Sequence, residues 1–152
     1  MLRFLQNYPH FLEITYRIGS KTLSPWRRWL KPGGWAERIM VRSERLTKGP
    51  IFGCKMCGQC VLHSTGMTCM MTCPKNLRNG PCGGVRFNGN CEVEPTMKCI
   101  WVDAWERSEH MPTYGQEIRD IIAPLNHQLH DTSAWVNEFT GVARTAPKGW
   151  DS

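Results

Sequence analysis

Residues 54–60 read CKMCGQC, a stretch that puts three cysteines, Cys54, Cys57 and Cys60, on one tight turn. Five more follow within the next forty residues, namely Cys69, Cys73, Cys82, Cys91 and Cys99. Eight thiols divide into two four-ligand sites without remainder. We therefore predict that all eight bind metal, and that ligation shapes the fold around them.

The spacing of the first three cysteines is that of a bacterial ferredoxin, where three ligands one turn apart face an iron–sulfur cluster. In a ferredoxin, three residues separate the third cysteine from a fourth one, which is followed by proline. Here Val61, Leu62 and His63 follow Cys60, and the residue after them is not a cysteine. The same ending appears downstream as Cys69-x-x-x-Cys73-Pro74. The run therefore resembles a ferredoxin motif that has been split by an insertion.

Zinc is the main alternative metal, since four-cysteine sites and the Cys-x-x-Cys spacing are common for zinc. Three cysteines in consecutive steps favour an iron–sulfur cluster, of the 4Fe–4S type, at the first site. The second site could hold another cluster or zinc. One scheme joins Cys54, Cys57 and Cys60 to a distant cysteine and leaves the other four for a second site, but sequence alone does not fix the partition. His63 is more typical of a surface or hydrogen-bonding residue than of a ligand.

The cysteines do not fit a disulfide framework or a catalytic site. No apolar window reaches the roughly eighteen residues that span a membrane, and the stretch from Met1 to Ile18 lacks the features of a secretory signal. We expect a cytoplasmic protein with no membrane partner, where thiols stay reduced and bind metal. No cysteine is paired with a recognisable base, and no phosphate loop or dinucleotide fingerprint is present.

The positive charge of the chain is concentrated at its N-terminal end. The whole sequence of 152 residues has a formal charge of +6. Residues 1–49 contribute ten basic and three acidic side chains, whereas residues 108–152 contribute three and six. A basic segment can bind nucleic acid or an acidic protein surface. Because no zinc-finger histidine spacing or aromatic RNA-binding motif accompanies it, nucleic acid is the weaker alternative.

The fold class that these patterns predict is a small, metal-stapled, mostly irregular or α-helical domain. A cysteine-rich loop core, flanked by short helices, would carry extended N- and C-terminal arms. We divide the chain into a basic helical N-terminal arm (1–49), a cysteine-rich metal-binding module (50–107) and a C-terminal docking tail (108–152).

Three helices are predicted in particular. One begins at Trp35, follows a face through Ile39, Arg42 and Leu46, and ends at Lys48-Gly49-Pro50. Another covers residues 99–105. The third covers residues 135–139 and is capped by Ser133.

Four stretches of the cysteine-rich region resemble the methylenetetrahydrofolate reductase C-terminal domain family. They are CKMCGQCVL at 54–62, TGM at 65–67, CPKNLRNGPCGG at 73–84 and GNCEV at 89–93. The resemblance covers residues 35–107 and weakens outside them. One departure is local, since Cys69 is followed by Met70 where the family often has proline.

This resemblance implies that the chain is a small, non-catalytic iron–sulfur subunit of a two-subunit methylenetetrahydrofolate reductase. Its partner would be the catalytic barrel, which binds flavin and folate and reduces methylenetetrahydrofolate in one-carbon metabolism. The chain would stabilise that subunit, pass electrons to its flavin, or both. The alternative is a zinc-binding structural module for another one-carbon or methyl-transfer enzyme.

Overall fold

The computed structural model describes residues 3–145, which form four α-helices joined by one-turn 3₁₀ segments and loops. The helices are α1 (Pro9–Leu23), α2 (Trp35–Phe52), α3 (Ile100–Ser108) and α4 (Ala134–Thr140). Within residues 3–145 the only β-structure is two isolated bridges, Val85 with Cys91 and Asn90 with Lys98. The predicted small, mostly helical fold is confirmed, and the stretch between α2 and α3 consists largely of loops.

The helix predicted from Trp35 is present but ends later than expected. It continues through Gly49 and Pro50 to Phe52, and Gly53 closes it in the left-handed region at φ +64°. The Gly53 amide donates to the carbonyl of Gly49 at 2.9 Å. Proline disfavours a helix interior, but the additional residues carry Phe52 into the core. Burial of this aromatic ring outweighs the local breaker signal.

The face of α2 that carries Trp35, Ile39 and Leu46 is exposed rather than packed, and Trp35 is 73% exposed. The helical period was predicted correctly, but the buried residues of α2 are Glu37, Glu44 and Phe52. Two of these are carboxylates that accept hydrogen bonds from other parts of the chain. The helical spacing of apolar residues therefore identifies the wrong face of α2 as the buried one.

A core cluster unites the three segments of the chain. Leu12 of α1 packs with Phe52, Leu62, Met67 and Met111. The expected extended arms are therefore wrong for the described residues, because both ends contribute side chains to one core. The boundaries of the three predicted segments stay a prediction.

The other predicted helices agree with the structure. Helix α3 begins directly after Cys99, and α4 begins after Ser133, whose hydroxyl accepts from the amide of Val136 at 3.3 Å. None of the helices in residues 3–145 combines the length and the apolar character needed to cross a bilayer. The cytoplasmic location stays a prediction.

Replacing Leu12 with alanine should destabilise the protein by about 2–4 kcal/mol, because it removes a side chain that is 7% exposed from the shared core. Denaturant unfolding of the purified protein measures the change. Leu46→Ala is the matched control, since Leu46 is 76% exposed and should cost less than about 0.5 kcal/mol. Equal effects of the two substitutions would mean that α1 is not part of the core.

Candidate metal centre

The eight cysteines lie in two groups of four, each lining its own cavity. The first cavity is lined by Cys54, Cys57, Cys60 and Cys69. The second is lined by Cys73, Cys82, Cys91 and Cys99. All eight are free thiols. Cys69 thus accompanies the three cysteines of the first turn, and the other four thiols lie together around the second cavity.

The turn of residues 54–60 depends on unusual backbone conformations. Met56 has a φ of +51° and Gly58 a φ of +72°. The Met56 amide donates to the sulfur of Cys54 at 3.4 Å. Backbone donors of this kind stabilise a thiolate and adjust the properties of a metal bound to it.

Gly58 lies where no side chain can fit. A Cβ atom there would collide with the carbonyl oxygen of Leu129 and stand 2.7 Å from the hydroxyl of Thr132. The side-chain amide of Asn137 donates to the carbonyl of Gly58 at 2.8 Å. The turn therefore lies directly against the C-terminal part of the chain.

Gln59 fixes the same turn from within the protein. Its side chain is 2% exposed, and its amide donates to the carbonyl of Ala143 and accepts from the amide of Asn126, both at 2.8 Å. The Asp131 amide also donates to the carbonyl of Met56 at 2.8 Å. Residues 126–143 thereby hold the backbone that presents the first three thiols.

Burial makes these thiols poor at ionising by themselves. Burial raises the pKa of Cys69 to about 12, with further contributions from the neighbouring Cys60 and Cys54. It also raises the pKa of Cys54 and of Cys57. A bound metal must displace these protons, and its positive charge would offset the cost of the buried thiolates. Four half-buried thiols fit a metal in number and in kind.

Two cationic side chains, Lys48 and Arg78, also line the first cavity. The Lys48 ammonium lies 3.0 Å from a carboxylate oxygen of Glu44. Burial lowers the pKa of Lys48, but the neighbouring Cys60 and Glu44 outweigh it and the net shift is upward. Burial lowers the pKa of Arg78, against an opposing effect of Cys57.

The second group is built differently. Cys73, Cys91 and Cys99 are buried whereas Cys82 is exposed. The Gly84 amide donates to the sulfur of Cys82 at 3.3 Å, and the Cys99 amide donates to the carbonyl of Gly89 at 3.0 Å. The indole of Trp101 covers the cavity from α3 and donates to the carbonyl of Leu77 at 3.2 Å.

The two groups are adjacent along the chain. Cys69 precedes and Cys73 follows the single 3₁₀ turn Met70–Thr72. Four residues of chain span at most about 14 Å, so the Cα atoms of these two cysteines cannot be farther apart. The turn therefore joins one cavity to the other.

His63 lies outside both cavity linings. It stacks on Tyr16 with 4.9 Å between ring centroids, and its Nε2 lies 3.4 Å from a carboxylate oxygen of Glu117. Burial lowers its pKa. Within residues 3–145, no three His, Cys, Asp or Glu side chains converge closely enough to hold a single metal ion. Metal ligation by the eight cysteines stays a prediction.

One protein-family model matches residues 35–128, and its description is methylene-tetrahydrofolate reductase C terminal. The chain belongs to this family. The match contains all eight cysteines, and it extends beyond the resemblance drawn from the sequence motifs. Neither the curated proteins nor the solved structures include a match to the chain.

Several residues of this site were not predicted from the sequence. Gln59 and Asn137 are polar side chains whose importance arises only from tertiary contacts. Gln59 contacts a residue 84 positions away along the chain, and Asn137 one 79 positions away. Lys48 was interpreted as part of a helix end. Its position four residues after Glu44 on a helix was a usable signal for an ion pair, because such residues are neighbours.

Replacing Gly58 with alanine should destabilise the protein and lower its metal content, since a Cβ collides with Leu129. Gly33→Ala is the control. Gly33 has a similar φ of +79° but no atom within 4 Å of an added Cβ, so it should show only a backbone penalty of about 1 kcal/mol. Thermal melting and metal analysis compare the variants. A Gly58→Ala protein no worse than Gly33→Ala would contradict the close packing.

Proposed function

We propose that this chain is a non-catalytic, iron–sulfur-bearing accessory subunit of a methylenetetrahydrofolate reductase complex. Family membership supports the association with that enzyme. The observation that carries the proposal is the division of eight thiols into two groups of four around separate cavities. Flavin and folate would be bound by the partner subunit, where the reduction would take place.

The first group would hold a 4Fe–4S cluster through Cys54, Cys57, Cys60 and Cys69. Such a cluster supplies one-electron transfer when bound. The protein's own contribution would be to present the thiols from a fixed turn, donate the Met56 amide to Cys54, and exclude water through the residues of the C-terminal segment.

The ferredoxin comparison supports a second cluster in the second group. In two-cluster ferredoxins, the cysteine before proline binds the other cluster rather than the one held by the preceding three. Cys73 precedes Pro74 and lines the second cavity, apart from Cys54, Cys57 and Cys60. Two clusters joined by the turn Met70–Thr72 would suit electron transfer toward the partner's flavin.

Zinc in the second group is the alternative, because four cysteines form a common structural zinc site. Cys82-Gly83-Gly84 forms a tight turn with an amide-to-sulfur hydrogen bond, a suitable support for a structural zinc ligand. With zinc in both groups, the chain would be a structural module for a one-carbon or methyl-transfer enzyme.

The N-terminal segment offers a surface for the catalytic subunit. Glu13, Glu37 and Glu44, the three acidic residues of the first 49, are all buried. Glu13 accepts from the amides of Thr113 and Tyr114, at 2.9 and 2.7 Å. The acidic charges are therefore withdrawn into the fold, and the solvent-exposed side of this segment is basic.

Aromatic residues interrupt this basic region. The basic aromatic surface consists of Trp26, Trp29 and Trp35 with Arg27 and Arg28, and Trp29 is 74% exposed. Trp29 directly follows the 3₁₀ turn that contains Trp26, and its amide donates to the Trp26 carbonyl at 2.9 Å, so the two residues lie one turn apart. Tryptophan and arginine dominate the binding energy of many protein interfaces. An acidic surface of the catalytic subunit would complement this region.

Protein purified without oxygen should be brown and contain iron and acid-labile sulfide in similar amounts. Cys69→Ser should remove the cluster of the first group and leave the metal of the second, whereas Cys91→Ser should do the reverse. Iron, sulfide and zinc analysis of each variant measures the partition. Colourless protein with zinc at both sites would overturn the iron–sulfur proposal, and loss of both metals in each variant would overturn the partition.

Trp29→Ala should weaken binding to the flavin-containing catalytic subunit by about tenfold or more, because it truncates the most exposed of the three tryptophans in the basic aromatic surface. Phe87→Ala is the control, since Phe87 is an exposed aromatic residue outside that surface. Titration of one purified subunit with the other measures the dissociation constant. A larger loss for Phe87→Ala than for Trp29→Ala would place the interface elsewhere.

A further inference from the structure

Arg78 is a buried cation beside the first group of thiols. Its side chain is 6% exposed and lines the same cavity as Cys57 and Cys60. Its Nε donates to the carbonyl of Gln59 at 3.3 Å, and its Nη1 donates to the carbonyl of Ala123. Both acceptors are neutral. None of the ion pairs formed within residues 3–145 includes Arg78.

Such an arrangement is unfavourable unless a negative charge lies nearby. A guanidinium stays charged in proteins, and an unpaired buried charge is strongly destabilising. Cys57 and Cys60 line the same cavity as Arg78, so their sulfurs are the ionisable groups that could supply this charge there. As neutral thiols they would leave the guanidinium without compensation, whereas as metal-bound thiolates they would supply it.

Lys48 adds a second positive charge from a different element, helix α2. Its partner Glu44 is shared. The carboxylate oxygen that does not pair with Lys48 accepts from the Ser133 hydroxyl at 2.6 Å and from the Trp135 amide at 3.1 Å. The carboxylate therefore serves the N-terminus of α4 as well as the ammonium. Lys48 lines the cavity near Cys54 and Cys60.

We propose that Arg78, assisted by Lys48, is the counter-charge of an anionic metal–thiolate group in the first cavity and raises its reduction potential. The inference rests on the proposed function in taking that group to be an iron–sulfur cluster. When the cluster accepts one electron from an external reductant, it gains one negative charge. A fixed positive charge beside it stabilises the reduced form more than the oxidised form.

The form of the side chain matters as well as its charge. A guanidinium has five N–H donors in a fixed fork, and the two carbonyls of Gln59 and Ala123 account for two. The anchored fork keeps the charge at the cavity and ties residue 123 to the cysteine turn. A lysine at this position would keep the charge but lose the two-point anchor.

The test is a redox titration of the full-length protein, purified without oxygen and followed by electron paramagnetic resonance. Arg78→Gln should make the potential of the first cluster more negative, so that the ratio of reduced to oxidised cluster at a fixed ambient potential falls about tenfold, or ~59 mV. Arg78→Lys should shift it less. Arg45→Gln is the control, because Arg45 is exposed and pairs with Asp131, and it should leave the potential unchanged.

Lys48→Gln provides a second variant that leaves the anchors of Arg78 in place, and it should also shift the potential downward. Unchanged potentials in both Arg78→Gln and Lys48→Gln, with iron retained, would overturn the inference. If Arg78→Gln fails to fold, the reduction potential of Lys48→Gln decides, and an unchanged potential in that variant overturns the inference.

Zinc in the native protein would refute the proposed function but leave this inference testable. A zinc–thiolate group is also anionic, so Arg78→Gln should release zinc from the first group to a chelator faster than the unchanged protein does. Arg45→Gln should not. Equal release rates for the Arg78→Gln variant and the unchanged protein would then overturn the role of Arg78.

Discussion

The cysteine turn of residues 54–60 keeps its shape because the C-terminal segment is hydrogen-bonded to it. Gln59 joins Asn126 and Ala143, and Asn137 joins Gly58. Met56 has a positive φ, which is strained for a residue with a side chain, so the turn needs support from its surroundings. These buried contacts determine where the first three thiols lie, and the second cavity is tied to that position through the turn that follows Cys69.

Buried hydrogen bonds also explain the uneven charge of the surface. Glu44 caps α4 through Ser133 and the Trp135 amide, while Glu37 accepts from the amides of Gly33 and Ser133. The carboxylates serve as internal acceptors for backbone groups that would otherwise be buried without partners. The acidic residues of the first 49 thus stabilise the fold, whereas basic and aromatic side chains of this segment lie on the surface.

Local signals predicted much of this fold, and tertiary contacts decided the rest. The Ser133 cap marked the start of α4, since a cap acts within one turn. Pro50 predicted the wrong end for α2, because a local sequence pattern does not reveal that Phe52 is buried. A local sequence pattern also does not reveal that Cys69 lies with the first group of cysteines. Gly66, within the insertion of residues 61–68, lies so close to the Ala104 carbonyl of α3 that no side chain fits there, and this contact has no local signal in the sequence.

Anomalous diffraction at the iron edge from anaerobically grown crystals tests the central claim most directly. The account predicts iron within the cavity bounded by Cys54, Cys57, Cys60 and Cys69, with the guanidinium of Arg78 beside it. Iron bonded to cysteines drawn from both groups, or an absence of iron from this cavity in protein that contains it elsewhere, would contradict the account.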